Sequence, residues 1–239
     1  MLLTPNIKII RTSLFIESES TLILSDLHIG QDEAMSANGF LMPRFQYEDL
    51  FKETQSIIKE TKPKRIILNG DIKHEFGGIL KEERSKIKEY IQYLKRGERE
   101  VIIIKGNHDA ILKPLAEREN IALKDFLILK DFFICHGDKL FEDDAFKKSK
   151  IIIIGHEHPA ITLKDGPRKE KYKCFLLGKY EDKKLIVMPA MNPLSDGSDI
   201  LTQKLLSPYL KNNKNFKKFK AIITDDDKAY DFGEIGKLD

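Results

Sequence analysis

Five short aliphatic or aromatic runs in this chain each lead into a cluster of glycine, aspartate, asparagine and histidine, and that recurring junction constrains the fold more than any other feature. Residues 21–25 lead into Asp26-Leu27-His28, Arg65–Asn69 into Gly70-Asp71-Ile72-Lys73-His74, and residues 101–104 into Gly106-Asn107-His108-Asp109. Phe132–Cys135 leads into His136-Gly137-Asp138, and Ile151–Ile154 into Gly155-His156-Glu157-His158. Runs this short and this apolar read as strands buried on both faces. A glycine at the exit lets the backbone turn sharply and carry a polar side chain to the sheet edge.

The intervals supply helices. Tyr47, Leu50, Phe51, Thr54, Ile57 and Ile58 fall on one helical stripe with Pro43 near its start; Ile87, Tyr90, Ile91 and Leu94 form another, stopped by Gly97. Strand and helix in alternation give parallel strands with right-handed crossovers. The motifs after these strands then converge on one carboxyl edge, the usual place for an active site in an open α/β sheet. In the second half, strand-like runs crowd together at Phe126–Leu129, 131–135, Ile151–Ile154, 172–177 and 185–188, with a final hairpin near 221–224 and 229–232. That spacing predicts hairpins and a second, mixed or antiparallel sheet packed on the first. No repeat or Ser/Pro-rich linker divides the chain, so residues 1–239 are expected to form a single α/β domain. The basic segment 211–220, with Phe216 and Phe219, reads as an exposed connection; a contact to a phosphate backbone is the sharper alternative.

Composition narrows the class. A chain of 239 residues with 41% hydrophobic content can bury a substantial core. The net charge of +3 is close to balance and selects no substrate, because the local field around a site decides that. The two cysteines, Cys135 and Cys174, form no CxxC pair, which argues against a disulfide framework or a zinc knuckle. Cys135 reads as a core thiol. No secretory leader pattern and no apolar run approaching the roughly 20 residues of a membrane span is present, so the expected location is cytoplasmic.

All six histidines lie inside the motifs. Imidazole, carboxylate and amide oxygen gathered in one order suit a pair of first-row metal ions. The absence of thiolate from the set favours Mn²⁺, Fe or Zn²⁺ over Cu(I) or an iron–sulfur cluster. Two adjacent divalent cations would hold phosphoryl oxygens and bring the pKa of a water towards neutrality.

The ordered set DxH, GDxxH, GNHD, HGD and GHxH resembles the calcineurin-like metallophosphoesterase superfamily. The wording GDIKH, CHGD and GHEHP is similar to that of the archaeal SbcD-related phosphoesterases. The motifs cover about residues 21–160, and segment 188–197 resembles the family's closing segment. The resemblance implies a four-layer αββα sandwich with two mixed β-sheets, the metallophosphoesterase fold. It implies that Asp26, His28 and His158 hold one metal ion, that Asn107, His136 and His156 hold the other, and that Asp71 bridges them. It tips the metal to Mn²⁺, with Fe or Zn²⁺ still open.

His108, next to Asn107, is expected to point into the site without ligating. Its role would be to protonate the leaving oxygen or face the developing negative charge, with Asp109 holding its tautomer. His74 matches the histidine of the SbcD-type motif and either faces the substrate or packs. Lys73 stands where those nucleases carry an aromatic residue, and either touches substrate phosphate or is solvated. Asp138 reads as a turn or supporting residue, and Glu157 as facing away from the site.

For the substrate, the resemblance implies a Mn²⁺-dependent phosphodiesterase or endonuclease acting on single-stranded or nicked DNA in repair, beside an Lhr-type helicase or a DNA ligase. No separate DNA-binding cap and no SbcC-type ATPase partner is expected. The alternatives are hydrolysis of a small phosphodiester such as a cyclic nucleotide, and a non-catalytic metal-bound scaffold. The stretch 31–42, with Gly39, is placed beside the substrate cleft or at a dimer contact.

Overall fold

The apolar runs become strands of two β-sheets in a computed structural model, which describes every residue except 5, 41–43, 76–80, 110, 226, 227 and 239. The first sheet holds β1 (Leu2–Thr4), β2 (Ile7–Ile10), β3 (Ser13–Ile16), β4 (Thr21–Leu24), β5 (Arg65–Asn69), β6 (Glu100–Ile104) and β7 (Ala122–Lys124), side by side in chain order. Its first four strands form an antiparallel meander, and β4 to β7 run parallel. Helices α1 (Gln31–Ala37), α2 (Gln46–Thr61), α3 (Lys81–Leu94) and α4 (Lys113–Arg118) occupy the crossovers.

The second sheet is built from β8 (Phe126–Leu129), β9 (Phe132–Cys135), β10 (Ile151–Ile154), β11 (Pro159–Asp165), β12 (Arg168–Tyr180), β13 (Lys183–Val187), β14 (Ser198–Asp199), β15 (Lys220–Asp225) and β16 (Lys228–Glu234). Close spacing predicted hairpins here, and β8–β9, β11–β12, β12–β13 and β15–β16 are antiparallel pairs. The centre of the sheet differs: β10 lies parallel to both β9 and β13. The reason is helix α5 (Asp144–Lys148), which turns the β9–β10 link into a crossover. Its cap, Asp143, accepts from the N–H groups of Ala145 at 2.8 Å and Phe146 at 2.9 Å.

Alternation along the strands sorts the core into layers. Leu22 and Leu24 of β4 face α2 and α3, packing with Leu50, Ile57, Ile87, Tyr90, Ile91 and Leu94. Ile23, between them, faces the second sheet with Ile67 and Ile102, meeting Ile134, Ile153, Phe175 and Ile186. The far face of the second sheet, with Phe133, Ile152 and Leu176, is covered by Phe146 of α5, by Tyr209 and Leu210 of α6 (Pro208–Lys211), and by Phe219. The result is the four-layer αββα arrangement, with a thin second outer layer. Each fully buried aliphatic contributes roughly 1.5–3 kcal/mol.

Several elements went unread in the sequence, among them the β1–β3 meander and α1, which fills most of the 31–42 stretch. Met42 and Pro43 lie outside the described residues. In the basic segment the two phenylalanines are anchors, Phe219 fully buried and Phe216 packed on the same cluster. Cys135 is a core thiol, its Sγ–H directed to the Tyr209 hydroxyl at 3.7 Å. No helix among the described residues is long and apolar enough to cross a membrane.

Candidate metal centre

Both sheets end at the same place. Asp26 and His28 follow β4, Asp71 follows β5, and Asn107 and His108 follow β6; His136 follows β9, and His156 and His158 follow β10. The loops are zipped together by backbone bonds: His28 N–H to the Asp71 carbonyl (2.9 Å), Ile29 N–H to that of Ile72 (2.8 Å) and Gly155 N–H to that of His136 (2.8 Å). The backbone is bent hard to present these side chains. Asp26, His28, Asp71, His156 and His158 adopt left-handed φ values of 57°, 43°, 48°, 65° and 48°. Each such residue costs on the order of 1–3 kcal/mol and persists only where its surroundings over-determine it. Glycine is required where the loops touch: a Cβ on Gly70 (φ 80°) would stand 2.2 Å from His136 Nδ1, and one on Gly155 would stand 2.0 Å from Ser25 Oγ.

Two donor groups result, and they share one carboxylate. Asp26, His28, Asp71 and His158 form the first, and Asp71, His136 and His156 the second; within each, one donor atom per residue lies within 4.8 Å of the others. His158 Nε2 is 3.2 Å from Asp26 Oδ1, and His28 Nε2 is 3.4 Å from His158 Nε2 and 3.8 Å from Asp71 Oδ2. On the other side His136 Nε2 is 3.3 Å from Asp71 Oδ2 and 3.2 Å from the amide oxygen of Asn107, which adds an oxygen donor to the second group. Carboxylate, amide oxygen and imidazole without thiolate fit two first-row divalent ions.

The titration of these groups fits the same use. Burial and the neighbouring His158 push His28 down to about 3, and burial and His136 push His156 down to about 4, so both imidazoles are neutral and have free lone pairs. Burial works against ionised Asp26 and Asp71, but the adjoining histidines hold both below the usual carboxylate range. His136 is the exception. Burial would lower it, yet the hydrogen bond to Asp71 and the charges of Asp26 and Asp71 drive it up to about 10. A proton there satisfies the carboxylates as a cation would. Its Nδ1 faces the Asn69 carbonyl at 3.1 Å, which leaves Nε2 directed at the centre.

The supporting residues depart from the sequence reading in two cases. Asp109 does not hold the His108 ring. Fully buried, it accepts from the N–H of Ile72 (3.0 Å), of Lys73 (3.5 Å) and of Gly106 (3.0 Å), clamping the Asp71 loop to the Asn107 loop. Burial and the charge of Asp71 raise it to about 6. The tautomer of His108 is set instead by the His74 carbonyl, which accepts from Nδ1 and leaves Nε2 3.8 Å from Asp71 Oδ2. Lys73 is the second correction. It is fully buried and bridges to Ile29, so it is not solvated and presents no surface to a substrate.

The remaining residues fall as follows. His74 lies with its ring 5.6 Å from that of His28 and 6.3 Å from that of His108. Glu157 does face away, accepting from the N–H of Leu206 (2.9 Å) and Ser207 (2.7 Å). Asp138 is half-buried, and its charge acts on His156.

Sequence reasoning missed the polar residues behind the ligands. Ser25 donates to Asp26 Oδ2 at 2.7 Å. The buried amide of Gln46 donates to the His28 carbonyl (2.7 Å) and to Asn192 Oδ1 (3.0 Å), while Gln46 Oε1 accepts from Gly30 N–H (3.2 Å). Lys173 donates to the Asn192 carbonyl at 2.6 Å, and Glu83 accepts from His74 N–H at 3.1 Å. The one available signal was the position of Asn192 inside the closing segment 188–197.

Paired Asp/His donor groups at the facing edges of an αββα sandwich define a metal-dependent hydrolase. The family model for calcineurin-like phosphoesterases matches residues 20–223, and the chain belongs to that family. Among solved structures, the nuclease MPE of Pseudomonas putida shares the fold at a TM-score of 0.67 and 16% identity, over 95% of this chain and 94% of that one. The E. coli phosphoesterase Yfce superposes with a TM-score of 0.41 at 12% identity, over 92% and 94% of the two chains. No curated protein sequence matches the chain.

Proposed function

We propose that this phosphoesterase hydrolyses phosphodiester bonds in DNA with two divalent metal ions, most simply Mn²⁺, as a single-domain member of the SbcD-related branch working in cytoplasmic DNA repair. One observation carries the dinuclear part: Asp71 belongs to both donor groups, with His28 on one side of its Oδ2 and His136 on the other. When bound, the two ions would supply Lewis acidity towards the phosphate and a nucleophile from water. Asp26, His28, His158 and Asp71 would hold the first; Asp71, Asn107, His136 and His156 would hold the second. Two carboxylates against two divalent ions leave a net positive field for a phosphate.

The chain's own residues supply the rest. His108, partly open to solvent, keeps Nε2 towards the centre because Nδ1 is bound to the His74 carbonyl. From there it faces the charge that develops on a phosphoryl oxygen or delivers a proton to the leaving one. Asp109 acts one step back, as the clamp between loops. The DNA part of the reading is supported by the fold shared with a nuclease along nearly the whole chain.

The decisive experiment is a substrate panel on chelator-stripped protein refilled with Mn²⁺, Fe²⁺, Zn²⁺ or Mg²⁺. Single-stranded, nicked, flapped and duplex DNA are compared with a bis-aryl phosphate and cyclic AMP. Mn²⁺-dependent cutting of single-stranded or nicked DNA is expected. Turnover of the small diesters without any cutting of DNA would replace this reading with a small-molecule phosphodiesterase, and no turnover with both ions bound would leave a scaffold.

A further inference from the structure

The amino ends of the parallel strands, at the edge opposite the metal centre, border a groove of about 790 Å³. Leu3, Ile151, Leu177 and Ile186 line it, and all four pack on the core between the sheets. Lys179, Lys184, Lys218 and Lys220 also line it, and no carboxylate does. Lys179 lies directly opposite Lys184 on antiparallel β12 and β13, and Lys220 lies opposite Leu177 on the other side of β12. Alternation puts Lys179, Lys184 and Lys220 on the same face as Leu177, Ile186 and Ile222, where the second sheet looks towards the first. Like charges directly across an antiparallel pair destabilise it. Among the described residues only Lys220 of the four has an ion-pair partner, Asp231 at 3.0 Å.

We infer that this groove docks an acidic, leucine- or isoleucine-rich peptide segment of a partner protein, a role beyond the proposed function. The aliphatic floor takes apolar side chains, lysine stems extend that floor, and the ammonium groups at the rim meet carboxylates. Neighbouring strands lie about 4.8 Å apart, so cations on β13, β12 and β15 spread over roughly 10 Å. Acidic residues at alternate positions of an extended peptide, about 7 Å apart, fall within that spread. A nucleic-acid strand fits less well. Bases bind by stacking on exposed aromatic faces, and Phe219, the aromatic lining the groove, is fully buried.

The test is fluorescence anisotropy of a labelled peptide alternating Glu with Leu, titrated with the intact protein. Expected is saturable binding that weakens with salt and falls by about 10-fold or more in the Lys179→Glu/Lys184→Glu double variant, with phosphoesterase turnover unchanged. If that variant melts early, Lys218→Glu, off the sheet, replaces it and should weaken binding in the same direction. No saturable binding, equal binding by the charge-reversed protein, or tighter lysine-dependent binding of a single-stranded oligonucleotide or of oleate overturns the inference.

Discussion

The layer between the two sheets and the edge where the same strands end are built on opposite rules. Between the sheets, Ile23, Ile67 and Ile102 sit in extended backbone and meet aliphatic and aromatic partners from the second sheet, so every local preference agrees with the fold. A few residues further along, Asp26 and Asp71 are buried carboxylates on left-handed backbone, pressed against imidazoles. At that edge the backbone conformation is itself unfavourable. The difference shows that the edge is held in shape by the layer behind it, which is how strained functional sites persist.

The sharpest way to break that contrast is to remove the group that both donor sets share. Asp71→Asn is expected to lose bound metal and to reduce turnover by more than the ~10²–10⁴-fold that follows from losing one general acid. Metal analysis beside a diesterase assay checks this, and two ions retained at full occupancy would remove the support for a shared carboxylate. His108→Ala comes next, with metal content intact and turnover down by roughly 10²–10⁴-fold. Loss of metal in that variant would reassign His108 as a ligand.

The middle layer is tested by Ile67→Ala, which should lower stability by about 2–5 kcal/mol in denaturant titrations while leaving stoichiometric metal binding intact at low temperature. The smallest effect concerns protons. With His136 raised to about 10 it is protonated at neutral pH in the metal-free protein, so an ion must displace that proton. Metal binding near pH 7.5 should therefore release about one proton from His136, and affinity should climb as pH rises from 6.5 towards 10. Calorimetry in buffers of different ionisation enthalpy reads this directly. A His136→Gln protein that releases the same proton would exclude the assignment.

What could be read from the sequence followed from side-chain type. Apolar runs ending on Asp, Asn, Gly or His announce both a buried strand and what it carries, and all seven expected ligands meet at the sheet edges. What could not be read depended on backbone. The partners of Asp109 are N–H groups of Ile72, Lys73 and Gly106, which have no sequence signature, so the neighbouring His108 looked like its natural partner. Lys73 looked like a surface cation because a lysine carries no sequence mark of burial; the fold pairs its backbone with Ile29, far away in the chain, and encloses the residue fully. Gln46 and Asn192, separated by 146 positions, are ordinary amides until the fold brings them together. The strands β1–β3 lead into no cluster of Gly, Asp, Asn and His, so the junction that marks β4, β5, β6, β9 and β10 is missing from them.

The wide separation of the donors has a consequence for how the protein is made. His28 and His158 are 130 residues apart, and His136 and His156 arrive on strands of the second sheet. A polypeptide still emerging from the ribosome therefore lacks a complete donor set until about two thirds of it, through His158, has been translated and the second sheet has docked. Metal capacity thus arises late in synthesis, as a property of the two sheets together and of neither alone.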